Sequence, residues 1–257
     1  MTGLTFLLST AAALLQGTAP LAASQPDPSE PQSPPARTEA ETPVESAVEA
    51  FGAEAQDVPQ RMERESQRPR EVELARIDTY FSGLDTLRAG FEQVGADGAV
   101  ATGTLSLDRP GRVRFEYEAP TPILLVADGQ TVAIADFDLE TVDRLPIAQT
   151  PLKWLLEPDL DPASSSAVDE VSRFDGALYL SLVDPDNEID GRVTLVFEDS
   201  DPEGPAEDMR LAGWIAVDAM GGFTEVRLTG NERGVSFNPR LFVLDDDLFE
   251  RSRRTRR

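Results

Sequence analysis

The chain has 257 residues, a formal net charge of −24, no cysteine and no histidine. The missing His and Cys exclude Ser-His and Cys-His nucleophile pairs, the commonest zinc ligands and the usual general base near neutral pH. So acidic a chain is a poor partner for nucleic acid, and only carboxylate chemistry or carboxylate-bound hard metals would remain for an enzyme.

In chain order, residues 1–23 hold an apolar run from Leu4 to Ala23 that ends in small residues. It has the length of a secretory core plus cleavage site, read as a signal peptide or an apolar anchor. No Lys or Arg precedes Arg37, so the positive leader is missing, as a misassigned start would explain. Residues 24–70 are rich in Pro, Glu, Gln, Ser and Ala with few large apolar side chains, and are expected to be a disordered linker. From Glu71 the spacing of Val72, Leu74, Ala75, Ile77, Tyr80, Phe81 and Leu84 predicts a short amphipathic helix ending near Gly83.

A long series of strands follows. Val113, Phe115 and Tyr117 alternate with Arg112, Arg114 and Glu116, and the same period of two runs through Leu178, Leu180, Leu182 and through Val193, Leu195, Phe197. Asp97-Gly98, Asp128-Gly129, Asp190-Gly191 and Gly221-Gly222 supply hairpin turns between such runs. One segment breaks the pattern: Thr150-Pro151 followed by Leu152-Lys153-Trp154-Leu155-Leu156 reads as an N-cap, a proline at the first helical position and about two apolar turns. The fold class is therefore mainly β (α+β): a many-stranded antiparallel sheet, curled, with short greasy helices against it. If the helices only partly fill the concave face, a ligand cavity remains; a closed core is the plainer alternative.

Order and spacing then become specific. Arg109-Pro110-Gly111-Arg112-Val113-Arg114-Phe115 is followed by Pro120, by Val126-Ala127-Asp128-Gly129, and by Thr150-Pro151 with Leu155-Leu156; Phe91-Glu92-Gln93 and Gly103 precede it. Across Glu71 to Glu250 the chain resembles the outer-membrane lipoprotein carrier (LolA-like) family, and Gly234-Val235-Ser236-Phe237-Asn238-Pro239-Arg240-Leu241-Phe242 looks like that family's final strand and terminal turn.

The resemblance implies an incomplete antiparallel β-barrel closed by short lid helices, over residues 71–250. It implies a periplasmic chaperone without enzymatic activity, cofactor or metal. Its partners would be triacylated lipoproteins, an inner-membrane ABC transporter that releases them and an outer-membrane lipoprotein acceptor, and the chain itself would be a monomer. The family's lid arginine maps onto Arg109, whose guanidinium would hold the empty cavity shut through backbone carbonyls of the lid helices. Expected cavity residues are Leu105, Leu107, Val113, Phe115, Ile123, Leu125, Val132, Ile134, Leu180, Val193, Leu195, Trp214 and Val226, with Leu152, Trp154, Leu155 and Leu156 on the lid helix. A one-residue error in strand register would reverse the inward set. Two related roles stay open: a lipid or lipoprotein sensor acting on an anti-sigma factor, and a carrier for another amphiphile.

Some features point elsewhere or nowhere. Ala133 and Ala135 stand where the family often has aromatics, which puts the cavity's shape in question. Asp184 to Glu188 has the acidic start of a calcium loop, but Ile189 occupies the position that needs glycine, so a hairpin loop is expected. Asp136, Asp138 and Glu140, and Asp245 to Asp247, are read as solvated acidic surface, and the Arg-rich tail 251–257 as a solvated end.

Overall fold

A computed structural model describes residues 68–157, 162, 165–186, 191–245 and 248–249. The expectations for 1–23, most of 24–70, Asn187 to Asp190 and 251–257 lie outside the described residues.

Helix α1 (Arg70–Ser82) comes first and ends at Gly83. Eleven strands follow: β1 (Thr86–Val94), β2 (Val100–Asp108), β3 (Arg112–Tyr117), β4 (Ile123–Asp128), β5 (Thr131–Asp136), β6 (Thr141–Pro146), β7 (Val168–Phe174), β8 (Ala177–Val183), β9 (Arg192–Glu198), β10 (Arg210–Val217) and β11 (Phe223–Arg233). They form one open antiparallel sheet in the order β6-β5-β4-β3-β2-β1-β11-β10-β9-β8-β7. Two hairpin meanders are thus joined at the centre by β1 against β11, where Phe91 faces Leu228 and Gln93 faces Val226. The first meander ends on one sheet edge, β6, and the second begins on the other, β7. The chain must cross between the edges, and it does so over the concave face through a 3-10 turn (Ile147–Gln149) and helix α2 (Lys153–Leu156). Both the curled antiparallel sheet and its short helices match the expected class.

One apolar core fills the concave side. It joins α1 (Leu74, Ile77, Tyr80, Phe81) and α2 (Trp154, Leu155, Leu156) to inward side chains of both meanders. Burying a Leu, Val, Ile or Phe side chain contributes roughly 1.5–3 kcal/mol, so this shared core is what keeps the helices on the sheet. Among the described residues no helix is long and apolar enough to cross a membrane.

Three local expectations are corrected. Val72 and Ala75 lie on the exposed side of α1, and Glu73 is buried in their stead. The helix turns to meet Arg173 of β7, a charge partner that apolar periodicity does not report. α2 begins at Lys153 with Leu152 as N-cap, not at Thr150. The Thr150 hydroxyl donates back to the Ile147 carbonyl at 2.8 Å, closing the preceding turn instead of capping the helix. Gly234 donates its N–H to the Thr86 carbonyl of β1 at 3.2 Å, Val235 to Asn238 form no strand, and Pro239–Phe242 is a 3-10 turn.

That C-terminal segment crosses the convex side of the first meander. Phe242 packs with Leu124, Val126 and Ala135, joined by Phe237, Leu241 and Phe249. Arg112 lies over the Phe242 ring at 5.8 Å and Arg88 over the Phe237 ring at 5.1 Å. β4 is therefore buried on both faces, which explains its unbroken apolar run Ile123-Leu124-Leu125-Val126-Ala127. Phe242 is 1% exposed. Phe242→Ala is expected to cost about 3–5 kcal/mol, read as a lower denaturant midpoint at unchanged slope.

Candidate functional site

The register sets out the concave face as rows. Leu105 of β2 lies between Ala89 of β1 and Phe115 of β3, and the row continues to Leu125 and Ile134. The next row runs Leu87, Leu107, Val113, Ala127, Val132. In the second meander Val226 neighbours Trp214, then Leu195, Leu180 and Val171. These side chains share one face because each strand alternates and the hairpins hold it in phase.

Of the expected cavity residues, Leu105, Leu107, Val113, Phe115, Leu125, Val132, Leu180, Val193, Leu195, Trp214 and Val226 are buried in this core, and Ile134 packs against it half-buried. Ile123 is buried on the same strand face as Leu125 but outside that cluster. Leu152, Trp154, Leu155 and Leu156 join the core from the crossover. Sequence reasoning missed the β1 contribution, Leu87, Ala89 and Phe91, although its alternation is plain, and missed α1 as a wall of the site. The expectation that Ala133 and Ala135 bear on the cavity's shape is corrected. Ala135 packs in the convex cluster under Phe242, and Ala133 shares its side of β5, so neither shapes the concave face.

Aromatic side chains form the floor near the sheet centre. Phe91 meets Phe115 edge-on at 5.4 Å and Tyr117 at 5.0 Å, and Phe115 meets Trp214 at 5.9 Å. Gly103 makes this possible: a Cβ there would stand 2.6 Å from the Phe91 ring and 2.3 Å from the Glu116 carbonyl.

Arg109 follows β2 and is 9% exposed. Nη1 donates to the Phe81 carbonyl at 2.5 Å and to the Leu84 carbonyl at 3.2 Å, both at the C-terminal end of α1. Nη2 donates to the Glu157 carbonyl at 2.6 Å, just past α2. The carbonyls at helix ends lack intrahelical partners, and a planar guanidinium can serve several of them at once. The same side chain lies over the Phe81 ring, 4.9 Å from its centroid. Gly111, at φ 81° where only glycine sits without strain, donates its N–H to the Leu156 carbonyl at 2.9 Å. One turn thus holds α1 and α2 together across the apolar face.

α1 has further attachments. Arg173, buried on β7, donates from Nε to Glu73 at 3.1 Å and from Nη2 to Glu73 at 2.8 Å and Asp199 at 2.6 Å. Burial disfavours its charge, but hydrogen bonds and attraction from Glu73 and Asp199 outweigh this and raise its pKa above the usual arginine value. Arg76 also grips Asp199, with Nη2 at 2.7 Å. Tyr80 accepts a hydrogen bond from the Leu211 N–H at 3.0 Å, and Arg233 donates to the Gly83 carbonyl at 2.9 Å. α2 is held by Arg109 and Gly111 and, through Lys153, by Asp184 at 2.8 Å. Asp184, once weighed as the start of a calcium loop, is therefore an ion-pair partner for the crossover. Among the described residues no group of His, Cys, Asp and Glu could hold a metal ion.

The model of a family described as outer membrane lipoprotein carrier protein LolA matches residues 82–245. A relative named outer-membrane lipoprotein carrier protein in Pseudomonas fluorescens is 32% identical over 185 residues, spanning 67% of this chain and 84% of the relative. Those of Xanthomonas axonopodis pv. citri (31% identical, 63% of this chain and 78% of the relative) and Methylococcus capsulatus (26%, 68% and 86%) carry the same name. Among solved structures, a LolA superfamily protein from Nitrosomonas europaea aligns with TM-score 0.42 at 12% identity, over 67% of this chain and 96% of that one. MucB aligns with TM-score 0.39 at 14% identity, over 68% of this chain and 62% of that one. On the family match, which spans most of the chain, this protein belongs to the outer membrane lipoprotein carrier protein family.

Proposed function

We propose that this chain is a periplasmic carrier that takes the acyl chains of lipoproteins onto its concave face. It would receive them from an inner-membrane ABC transporter and deliver them to an acceptor at the outer membrane. The observation that carries the reading is the Arg109 guanidinium, bonded to the ends of both helices over a continuous apolar face. Arg109 is then a latch on the empty state, and cargo enters when the α2 crossover lifts from the sheet.

Magnitudes explain the need for such a protein. At about 0.8 kcal/mol per methylene, three chains of roughly sixteen carbons expose on the order of 30–40 kcal/mol to water. A face of Leu, Val, Ile and Phe offers equivalent burial without chemistry, and no step of the carriage calls for an enzyme. In this reading α2, a four-residue helix on the crossover, is the moving part, while α1 stays on the sheet through Arg173, Arg76 and Tyr80.

Native mass spectrometry of the protein purified from envelope extracts tests this. Acylated lipoprotein bound one-to-one is the expected result. Free lipids alone, with lipoprotein never bound, would count against it.

A further inference from the structure

The concave face is not uniformly apolar. On β1 to β3 its side chains read Leu87, Ala89, Phe91, Gln93; then Ala101, Gly103, Leu105, Leu107; then Val113, Phe115, Tyr117. In these three strands the polar members are Gln93 and Tyr117 alone, and they meet: the Tyr117 hydroxyl donates to Gln93 Oε1 at 2.7 Å. The pair sits where β1 ends, β2 begins and β3 ends, at the opposite end of the sheet from Arg109.

Three observations mark that end as the place for a cargo's head. Gln93 is buried and Tyr117 is partly buried against the core, so the pair closes the apolar face at that end. The hairpin between β10 and β11, at the same end of the sheet, carries a large apolar side chain in the open: Met220 is 90% exposed. Leu107 and Val113, toward Arg109, are fully buried. Length also fits. From Gln93 back to Leu87 is six residues of strand, ~20 Å. An acyl chain contributes about half of a ~30 Å bilayer core, ~15 Å.

We propose that Gln93 and Tyr117 hydrogen-bond the glycerol diester head of the acylated lipoprotein, with its chains running from there along the apolar face toward Arg109. This rests on the carrier reading above. An ester carbonyl can only accept, so the site must donate. The Tyr117 hydroxyl, now given to Gln93, turns to the ester, and the Gln93 carboxamide adds a second point of contact. Burial pushes the Tyr117 phenol above its ordinary pKa, so it remains a donor throughout the pH range of the envelope. The aromatic rings of Phe91 and Phe115 beside it fix the approach of the first methylenes.

The test compares the full chain with Tyr117→Phe and Gln93→Leu in equilibrium binding of three probes. These are a triacylated lipopeptide with ester-linked chains, its analogue with ether-linked glyceryl chains, and dipalmitoyl phosphatidylglycerol. Circular dichroism on each variant establishes that it is folded. Tyr117→Phe is expected to weaken the ester-linked lipopeptide by about tenfold and leave the ether-linked analogue within about twofold, the effect of one buried hydrogen bond. Equal losses for ester and ether probes, or no loss for either, overturn the assignment while leaving the carrier reading intact. A loss confined to phosphatidylglycerol overturns the lipoprotein as the source of the diester. Wild-type protein that binds no acylated lipopeptide overturns the carrier reading itself.

Discussion

Arg109→Leu is expected to hold acylated cargo about 30- to 150-fold more tightly than the wild type and to fail at hand-off. The sign follows from linkage. The guanidinium bonds are made only when α1 and α2 are drawn together, so they stabilise the closed, empty state. A ligand that binds the open state competes with that closure, and weakening the closed state raises apparent affinity by the same factor. Hydrogen bonds from a charged donor contribute about 1.5–3 kcal/mol, and losing the bridge to α2 removes about 2–3 kcal/mol of closure, which converts to the range given. Leucine keeps the apolar contact with Phe81 but offers no donor. Arg109→Lys should fall between, since one ammonium lacks the fork that reaches both helix ends. The measurement is the rate at which a triacylated lipopeptide leaves each variant for an acceptor vesicle. Release by Arg109→Leu as fast as wild type would remove the latch from the account.

Arg173→Met carries the largest expected loss of stability. Among the described residues it leaves Glu73 and Asp199 buried with Arg68 and Arg76 to serve them. Breaking one partner out of a buried ionic group costs about 3–5 kcal/mol, and in a domain of this size a lowering of Tm by roughly 6–20 °C follows. Glu73→Leu with Arg173→Met should cost clearly less than the sum of the two single changes, because the pair is directly bonded. Thermal unfolding of the three variants decides it; strict additivity would mean that the network does not act as a unit. Since α1 forms one wall of the concave face, the double variant also asks whether that wall must be fixed for cargo to bind.

The legible parts of this fold were those where one face of a strand meets water. β3 is such a strand, and Phe115 could be placed inward from its period alone; Leu180 and Leu195 follow the same period, although Tyr179 and Val196 are buried on the outer side of β8 and β9. β4 alternates less because the C-terminal segment around Phe242 covers its back, a tertiary event with no local signal. Ala135 lies on the convex side because β5 alternates and its neighbours Val132 and Ile134 face the core. Glu73 escaped notice for a related reason. A carboxylate within an apolar stripe reads as an interruption until Arg173, a hundred residues on, is brought beside it. Arg109 was identifiable by resemblance, but its three acceptor carbonyls depend on where two helices end in space. The Gln93–Tyr117 pair lay beyond sequence reading as well, since it joins two strands across the narrow gap left by Gly103.

The central claim is that acyl chains lie on the concave face, and the chain carries its own reporters for it. Its two tryptophans, Trp154 on the crossover and Trp214 on β10, both sit in that core. Bromine quenches indole fluorescence only near contact, so two lipopeptides identical except for brominated acyl chains can be compared on the same protein. Stronger quenching by the brominated probe, saturating at one equivalent, is the result the account predicts. Saturable binding with no bromine-dependent quenching would place the chains elsewhere and contradict it.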